Sequence, residues 1–325
     1  ACVPTKVLLR AAKAYRQTQG TSEYGVLTKP GEMDFERIMA RRKKIVDALG
    51  GPRIDGLAEQ MGIDVIKGKA VFLDAHTVQV GDSEYTAEKF VIATGTTTFV
   101  PPIPGLDKTP WIDFKEAVML KQAPGSMIII GGGPVGCEFA TFYATYGTKV
   151  TLLQAASHLL NREEPEISEI IEEEMKKLGV DVHVSAEVIE TAEAGSGVEV
   201  KVRIGKKIET LSADTLLLAT GKRSATAGLG CKAAGVKLDD RGTIVTSTEM
   251  RTTADNIWAA GDVNGGMQFT HTAHHEGNLA GFNAFAKKAQ RFDDRVVPRV
   301  TFVVPEVASV GMTEAQARDA VSKVL

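Results

Sequence analysis

The segment at 127–138 constrains this chain most strongly, because an apolar run leads directly into three closely spaced glycines. The run at 127–130 has the composition of a buried parallel strand, and Gly131, Gly133 and Gly136 follow it. A helix-compatible stretch at 137–146 and a second apolar strand, at 149–153, come next. In such a unit the first glycine permits a tight turn, the second lets a pyrophosphate approach the backbone, and the third lets the helix pack closely. The pattern predicts a dinucleotide site; the alternative is a glycine-rich surface loop.

The residue that ends the second strand bears on the choice of nucleotide. About 20 positions after the first glycine, an acidic side chain commonly binds the ribose hydroxyls of NAD. Gln154, which is uncharged, stands in that place here. Its amide can hydrogen-bond a 2′-hydroxyl, whereas Ala155 and Ala156 offer no guanidinium to a 2′-phosphate. We therefore expect NADH to be preferred over NADPH.

Composition indicates a globular protein of two or three domains, since 43% of the 325 residues are hydrophobic and 24% are charged. The formal net charge of −3 gives no reason to expect nucleic acid or a membrane surface as a partner. Three cysteines are too few for a disulfide-stapled secreted domain, so we expect a cytoplasmic location. Because the chain opens at Ala1 within a helix-forming segment, we expect it to be a piece of a longer protein.

The first hundred residues are predicted to form two helices followed by short strands. One helix begins near Pro4 and fades before Gly20, and the next starts at Asp34 as its N-cap and stops at the glycines 50 and 51. A β-meander is predicted at 65–80 and a buried strand at 90–93. The proline-rich segment at 100–105 marks the first domain boundary.

The remainder alternates between strands and helices. A helix from Pro165 carries its acids first and its lysines last, which suits the helix dipole and indicates a solvated face. Strands are predicted near 182, at 198–204 and at 216–219. A helix is predicted at 270–287, and residues 297–325 begin a new alternating segment that ends in a polar helix.

The string Ala-Thr-Gly occurs twice after an apolar strand, at 93–95 and 219–221. This repetition indicates two nucleotide-binding halves of related plan, or it is chance repetition of a short string. A further apolar strand at 257–260 delivers Asp262 at its carboxyl end, where ligands collect in α/β sheets. Asp262 can accept hydrogen bonds from polyol hydroxyls, or it caps a turn.

Two side chains outside the glycine turn suggest chemistry. Cys2 stands at a predicted helix N-terminus close to Lys6, where the dipole and the ammonium favour a nucleophilic thiolate; the alternative is a small apolar residue. Glu138 interrupts an otherwise apolar helix face, and a buried carboxylate needs a partner. Lys6 is a candidate partner, and otherwise Glu138 points to solvent or caps the helix.

Taken together, these strings resemble the class I FAD-dependent pyridine nucleotide–disulfide oxidoreductases, the family of dihydrolipoamide dehydrogenase and mercuric reductase. The matching strings are Cys-Val-Pro-Thr-Lys at 2–6, Gly-Gly-Gly-Pro-Val-Gly-Cys-Glu at 131–138, Ala-Ala-Gly-Asp at 259–262 and Val-Thr-Phe-Val-Val-Pro-Glu-Val-Ala-Ser-Val-Gly at 300–311. The resemblance implies an α/β fold with two Rossmann-like nucleotide-binding domains, for FAD and NAD(P), and the start of an α+β dimerisation domain. The implied domains are 1–105 (FAD, first part), 106–225 (NAD(P)), 226–290 (FAD, second part) and 291–325 (dimerisation).

The resemblance also implies an activity, in which electrons pass between NAD(P)H and a disulfide, dithiol or thiol-bound metal ion through FAD and a redox-active cysteine pair. Cys2 matches the thiol that faces the flavin, Lys6 and Glu138 match the ion pair beside flavin N5, and Asp262 matches the ligand of the ribityl chain. The implied cofactor-binding residues are Thr94, Gly95, Gly131, Gly133, Pro134, Val135, Gly136, Gln154, Gly221, Gly261, Asp262, Gln268, Phe269 and Thr270. The implied partners are a small-molecule or protein-bound disulfide or dithiol and, in the full-length protein, a second copy.

Departures from the family pattern leave alternatives open. The first cysteine of the pair and the FAD pyrophosphate turn would precede Ala1, and the acid–base histidine would follow the segment given. Lys222 replaces the usual arginine, while Cys137 and Cys231 match no redox position. One alternative is therefore an inactive fragment that retains only an NAD(P)-binding module. A metal site at His271, His274, His275 and Glu276 is another alternative. We expect no bound metal there, because the resemblance implies that the segment 268–276 is the helix whose N-terminus faces the flavin O2 edge.

Overall fold

The computed structural model describes residues 2–19, 25–27, 29, 31–50 and 52–320. Gly20 and Gly51, where helix ends were predicted, lie outside these ranges. The described residues divide into two units. Unit 1 takes residues from 1–54, 100–221 and 300–325, and unit 2 comprises 55–99 and 222–299.

Helices and strands alternate through most of the chain. The described helices are α1 (Cys2–Arg16), α2 (Phe35–Leu49), α3 (Pro52–Gln60), α4 (Phe114–Ala117), α5 (Pro134–Thr145), α6 (Pro165–Lys177), α7 (Thr270–Phe285) and α8 (Glu314–Ala320), with a 3-10 helix at Gly261–Asn264. The described strands are β1 (Ala70–Phe72), β2 (Thr77–Val80), β3 (Ser83–Thr86), β4 (Phe90–Ile92), β5 (Thr96–Thr98), β6 (Ser126–Ile130), β7 (Lys149–Leu153), β8 (Asp181–His183), β9 (Ala186–Ala194), β10 (Gly197–Ile204), β11 (Lys207–Ala213), β12 (Thr215–Leu218), β13 (Lys222–Ser224), β14 (Ile257–Ala259), β15 (Arg299–Thr301) and β16 (Val307–Ser309).

Unit 1 is built around a parallel sheet with the strand order β12-β6-β7-β8. Ile128 of β6 pairs with Leu216 on one side and with Thr151 on the other. Side chains of β6 alternate between the two faces of the sheet. Met127 and Ile129 pack among helical residues, whereas Ile128 and Ile130 pack against the antiparallel sheet β11-β10-β9. Both faces are covered, which explains why β6 is a continuous apolar run.

Local signals in the sequence account for how α2, α5 and α6 begin. The Asp34 side chain accepts the N–H of Arg37 at 3.0 Å, so the predicted N-cap of α2 is confirmed. Helix α5 begins at Pro134, earlier than the predicted 137, because proline suits the first helical turn. Helix α6 carries Glu166 in its first turn and two lysines in its last, as the dipole favours.

The helices α1 and α2 and the segment after residue 300 are also part of unit 1. Leu8, Leu9 and Ala12 of α1 are buried in the same cluster as Phe139 and Phe142 of α5. The segment after 300 contains the paired strands β15 and β16, followed by α8. Two hydrogen bonds, from the Ser309 hydroxyl to Glu163 and from the Glu314 N–H to Glu164, join it to the residues before α6, and both are 2.7 Å long.

Unit 2 contains an antiparallel sheet, β1-β2-β3, and two strand pairs. The sequence predicted the meander only to residue 80, because the side chains of β3 are all exposed and show no apolar alternation. Strands β4 and β14 are parallel, with Val91 opposite Trp258, and β5 is antiparallel to β13. Helix α7 buries Leu279 and Ala280 in one cluster with Trp258.

The predicted α/β class is confirmed, since the parallel strands of unit 1 alternate with helices. Among the described helices, none combines the length and the apolar character that crossing a bilayer requires.

Candidate functional site

The glycine turn between β6 and α5 has the geometry that its sequence predicts. Gly131 has a φ of +115°, and a Cβ added there would lie 2.3 Å from the Ala219 carbonyl oxygen. A Cβ on Gly136 would lie 1.8 Å from the carbonyl oxygen of Gly131. Gly133 differs, because a Cβ there would meet no heavy atom within 4 Å. Steric crowding therefore excludes side chains at two of the glycines, while the third borders open space that a ligand can use.

This open space lies at the start of α5, where the first-turn N–H groups have no intrahelical acceptors. Gly133 is the N-cap and makes no side-chain cap hydrogen bond, and Pro134 and Val135 open the helix. Gly221, which follows β12 closely, has a φ of +106° and also faces open space. An anion at the start of α5 would meet these N–H groups and the positive end of the helix dipole.

Gln154 lies at the carboxyl end of β7, but its side chain turns inward. The residue is 9% exposed, its Oε1 accepts the Gly132 N–H at 3.1 Å, and its Nε2 donates to the His158 carbonyl at 3.3 Å. Both ends of this amide thus bond backbone groups of the protein, while its contact with a ribose hydroxyl stays a prediction. Sequence spacing located the residue correctly but did not indicate its direction.

Glu138 and Lys6 form an ion pair, as the sequence suggested. The Lys6 Nζ lies 2.5 Å from each carboxylate oxygen, and the Glu138 side chain is only 7% exposed. Phe302 joins the pair twice, since its N–H donates to Glu138 Oε1 at 3.0 Å and its ring centroid lies 4.6 Å from Lys6 Nζ. The alternatives in which Glu138 faces solvent or caps the helix are excluded. The part played by Phe302 had no sequence signal.

Cys2 begins α1 and is exposed. It lines an open cavity of about 360 Å³, whose charged lining residues are Lys6, Arg10 and Arg41. All three are cations, so the thiol stands in positive surroundings. The other cysteines, in contrast, are buried. Burial raises the pKa of the Cys137 thiol, and likewise that of Cys231, which favours the protonated, unreactive form.

In unit 2, Asp262 lies in the 3-10 helix that follows β14. Its Oδ2 accepts hydrogen bonds from Lys222 Nζ at 3.0 Å and from Thr96 Oγ1 at 3.4 Å. Gly95, which precedes β5 and follows the exposed Thr94, has a φ of +66° and faces open space. The structure thus brings the residues after β4 and those after β14 to one edge, as expected for the carboxyl ends of parallel strands.

Glu276 holds the turn that carries Asp262. Its Oε2 accepts the Gly261 N–H at 2.7 Å and Asn264 Nδ2 at 2.8 Å, although the residue is only 3% exposed. Burial raises the pKa of this carboxyl above its ordinary value of 4.5, against the lowering effect of both hydrogen bonds. The sequence had suggested Glu276 only as a metal ligand.

Helix α7 begins at Thr270, directly after Gln268 and the N-cap Phe269. The hydroxyl of Thr272, in its first turn, is buried and has no hydrogen-bond partner in the described part of the chain. Within the same described ranges, no group of three potential metal ligands comes together. The ring of His271 stacks on Phe269, and that of His275 packs against Phe292.

A parallel sheet with a glycine turn at its carboxyl edge is typical of α/β proteins that bind dinucleotides. Here an ion pair also links the helix after the turn to a helix that begins with a cysteine. A family model for pyridine nucleotide-disulphide oxidoreductases matches residues 1–277. The chain belongs to this family, whose members use FAD and NAD(P)H.

Curated relatives match nearly the whole chain. It is 38% identical to the probable pyridine nucleotide-disulfide oxidoreductase RclA of Escherichia coli, over 98% of this chain and 69% of the relative. A mercuric reductase of Staphylococcus aureus is 33% identical, over 98% of this chain and 58% of the relative. A dihydrolipoyl dehydrogenase of Geobacillus stearothermophilus is 35% identical, over 98% and 68%. This chain thus spans between about half and two thirds of the length of the relatives it matches.

Solved structures give the same result. The HOCl-induced flavoprotein disulfide reductase RclA from Escherichia coli superimposes with a TM-score of 0.85 at 37% identity. The match covers 98% of this chain and 69% of that structure.

Proposed function

We propose that the whole protein is a FAD-dependent oxidoreductase that passes electrons between NAD(P)H and a disulfide or dithiol. In the reducing direction, NAD(P)H and one proton convert a disulfide into two thiols and leave NAD(P)⁺. The direction depends on redox poise, for which 30 mV corresponds to about 1.4 kcal/mol in a two-electron couple.

The Lys6–Glu138 ion pair carries this proposal. It joins α1, which begins at Cys2, to α5, which begins in the glycine turn. The helix that carries the Cys2 thiol and the helix proposed to bind the nucleotide are thereby held together within unit 1. A purely structural ion pair would not need one end at a cysteine-bearing helix and the other five residues after a pyrophosphate-type turn.

The residues of unit 1 fit a pyridine dinucleotide. The open space at Gly133 and the first-turn N–H groups of α5 would bind the pyrophosphate, with Gly131 and Gly136 keeping the backbone close. Pro134, Val135 and Gly221 complete the proposed binding set in this unit.

In unit 2 we assign residues that would hold the ribityl and flavin parts of FAD. We assign Asp262 and Gly261 to the ribityl chain, and Thr94 and Gly95 to the neighbouring strand end. Gln268, Phe269 and Thr270 would present the start of α7 to an electron-rich flavin edge. The open space at Gly95 and the unpartnered hydroxyl of Thr272 support this assignment. When bound, FAD supplies two-electron transfer between nicotinamide and disulfide.

The proposed substrate class is a disulfide or dithiol, with Cys2 as one member of the redox-active pair. Relatives named as disulfide reductase and dihydrolipoyl dehydrogenase support it. A thiol-bound Hg²⁺ ion is the second candidate, because relatives named mercuric reductase match the same 98% of the chain. We further propose the domain limits stated from the sequence, a homodimer and a cytoplasmic location.

Purified whole protein tests the proposal. We expect yellow protein with flavin absorbance bands, which oxidises NADH and reduces an aromatic disulfide reagent. Cys2→Ser should abolish disulfide reduction but keep electron transfer from NADH to ferricyanide, while Cys231→Ser, as the matched control, should keep both. Colourless protein that still binds NADH would instead support the alternative of an NAD(P)-binding module. Flavin-loaded Cys2→Ser protein with full disulfide reduction would refute the role of Cys2.

A further inference from the structure

The Gln154 side chain belongs to the scaffold of the glycine turn. A Cβ added to Gly132 would lie 2.9 Å from the Gln154 Cβ, so the two residues pack directly together. The Gly132 N–H donates to Gln154 Oε1 at 3.1 Å, and the Gly132 carbonyl accepts the Leu160 N–H at 2.9 Å. Both backbone polar groups of Gly132 are thus bound to the segment that follows β7.

The amide of Gln154 has a use for both of its ends. Its Oε1 accepts from the turn, and its Nε2 donates to the His158 carbonyl at 3.3 Å. A glutamate in this orientation would retain the acceptor but face the carbonyl oxygen of His158 with no donor. A neutral amide therefore suits this buried position better than the carboxylate that commonly selects NAD.

We infer that Gln154 is a positioning residue that braces the glycine turn, and that the site consequently accepts NADH and NADPH without charge-based discrimination. The inference depends on the proposed function of the turn as a dinucleotide site. The stretch 154–158 contains no carboxylate that would repel a 2′-phosphate. This inference competes with our expectation that NADH is preferred, because that expectation assigned the Gln154 amide to the ribose.

The test uses the chain with three probes: ADP-ribose, 2′-deoxy-ADP-ribose and 2′-phospho-ADP-ribose, with dissociation constants from calorimetry. We expect ADP-ribose and its 2′-phosphate to bind within about fivefold of each other, because the neutral amide contributes no charge repulsion. Gln154→Met, which keeps the side-chain length but removes both hydrogen bonds, should weaken all three probes by a common factor of about ten. A loss confined to the two probes that carry a 2′ oxygen would show that Gln154 reads the ribose, and would overturn the inference. A wild-type preference above tenfold for ADP-ribose would overturn the part about discrimination.

A ligand-free measurement separates the brace from the proposed function. Hydrogen exchange of the Gly132 amide, followed by NMR, should accelerate about tenfold in Gln154→Met. If the methionine variant does not fold, Gln154→Glu takes its place, because it retains the acceptor and should keep the exchange slow. Gln79→Met, in β2 of unit 2, is the matched control and should leave exchange and binding unchanged. Unchanged Gly132 exchange in Gln154→Met refutes the brace, whereas slow exchange in a wild-type chain that binds none of the probes refutes only the nucleotide site.

Discussion

Replacing Glu138 by alanine tests the central ion pair most directly. The substitution removes a carboxylate that is 7% exposed and that accepts from Lys6 and from the Phe302 N–H. Removing one partner of a fully buried pair costs about 3–5 kcal/mol. Lys6 is 33% exposed, so water can partly solvate the ammonium that remains, which lowers the cost. The unsatisfied Phe302 N–H adds about 1 kcal/mol. We therefore expect a net loss of about 2–4 kcal/mol.

The assay is urea unfolding followed by the fluorescence of Trp111, which lies in unit 1. A Trp258→Phe background removes the signal of the other tryptophan, which lies in unit 2. Glu306→Ala is the matched control, because Glu306 pairs with Lys13 on the same helix α1 and both side chains are about half exposed. That control should lose less than about 1 kcal/mol.

Two results would refute the reasoning. A loss no larger in Glu138→Ala than in Glu306→Ala would show that the buried pair adds nothing beyond a surface ion pair. Equal losses in Glu138→Ala and Glu138→Gln would show that the acceptor for Phe302 has no measurable weight, since glutamine keeps an oxygen for that N–H.

Three further predictions follow from individual contacts. Gly136→Ala should lower the stability of unit 1 by about 2 kcal/mol or more, because its Cβ would overlap the Gly131 carbonyl. Gly133→Ala should fold normally and weaken NADH binding, and equal stability losses in the two variants would contradict this prediction. Phe302→Leu should raise the acylation rate of Lys6 about fivefold, because it removes the contact between the ring and the ammonium, whereas Phe302→Tyr should keep that contact and leave the rate unchanged. The labelling rate of Lys13 is the internal control, and an unchanged Lys6 rate in Phe302→Leu would contradict the contact. The raised pKa of Glu276 means that above pH 4.5 the folded state binds more protons than the unfolded state, so the stability should fall as the pH rises from there through the folded pKa. Glu276→Gln should lack this fall in urea titrations at several pH values. Parallel curves of stability against pH for the two proteins would contradict the prediction.

Several features of the fold could be read from short stretches of sequence. The spacing of the three glycines predicted the turn, because the steric need for a missing Cβ is local to a few residues. The N-cap at Asp34 and the order of charges along α6 are likewise interactions within one or two helical turns. Strand β3 escaped prediction for the same reason, since its exposed side chains leave no local apolar pattern.

The pairing of Lys6 with Glu138 lies between these cases. An acid on an apolar helix face signals that some partner exists, but 132 residues separate the two side chains. The resemblance to a family supplied the partner that the residue pattern alone left open.

Tertiary structure alone decided which groups complete the site and where they point. Phe302 is 164 residues from Glu138, and its contribution is a backbone N–H, which every residue except proline carries and which therefore leaves no trace in the sequence. The spacing located Gln154 at the end of β7, but only packing against Gly132 turned its amide inward. Sequence thus determined which backbone conformations were possible, because those depend on neighbouring residues, while the choice of partners required the packing of distant segments.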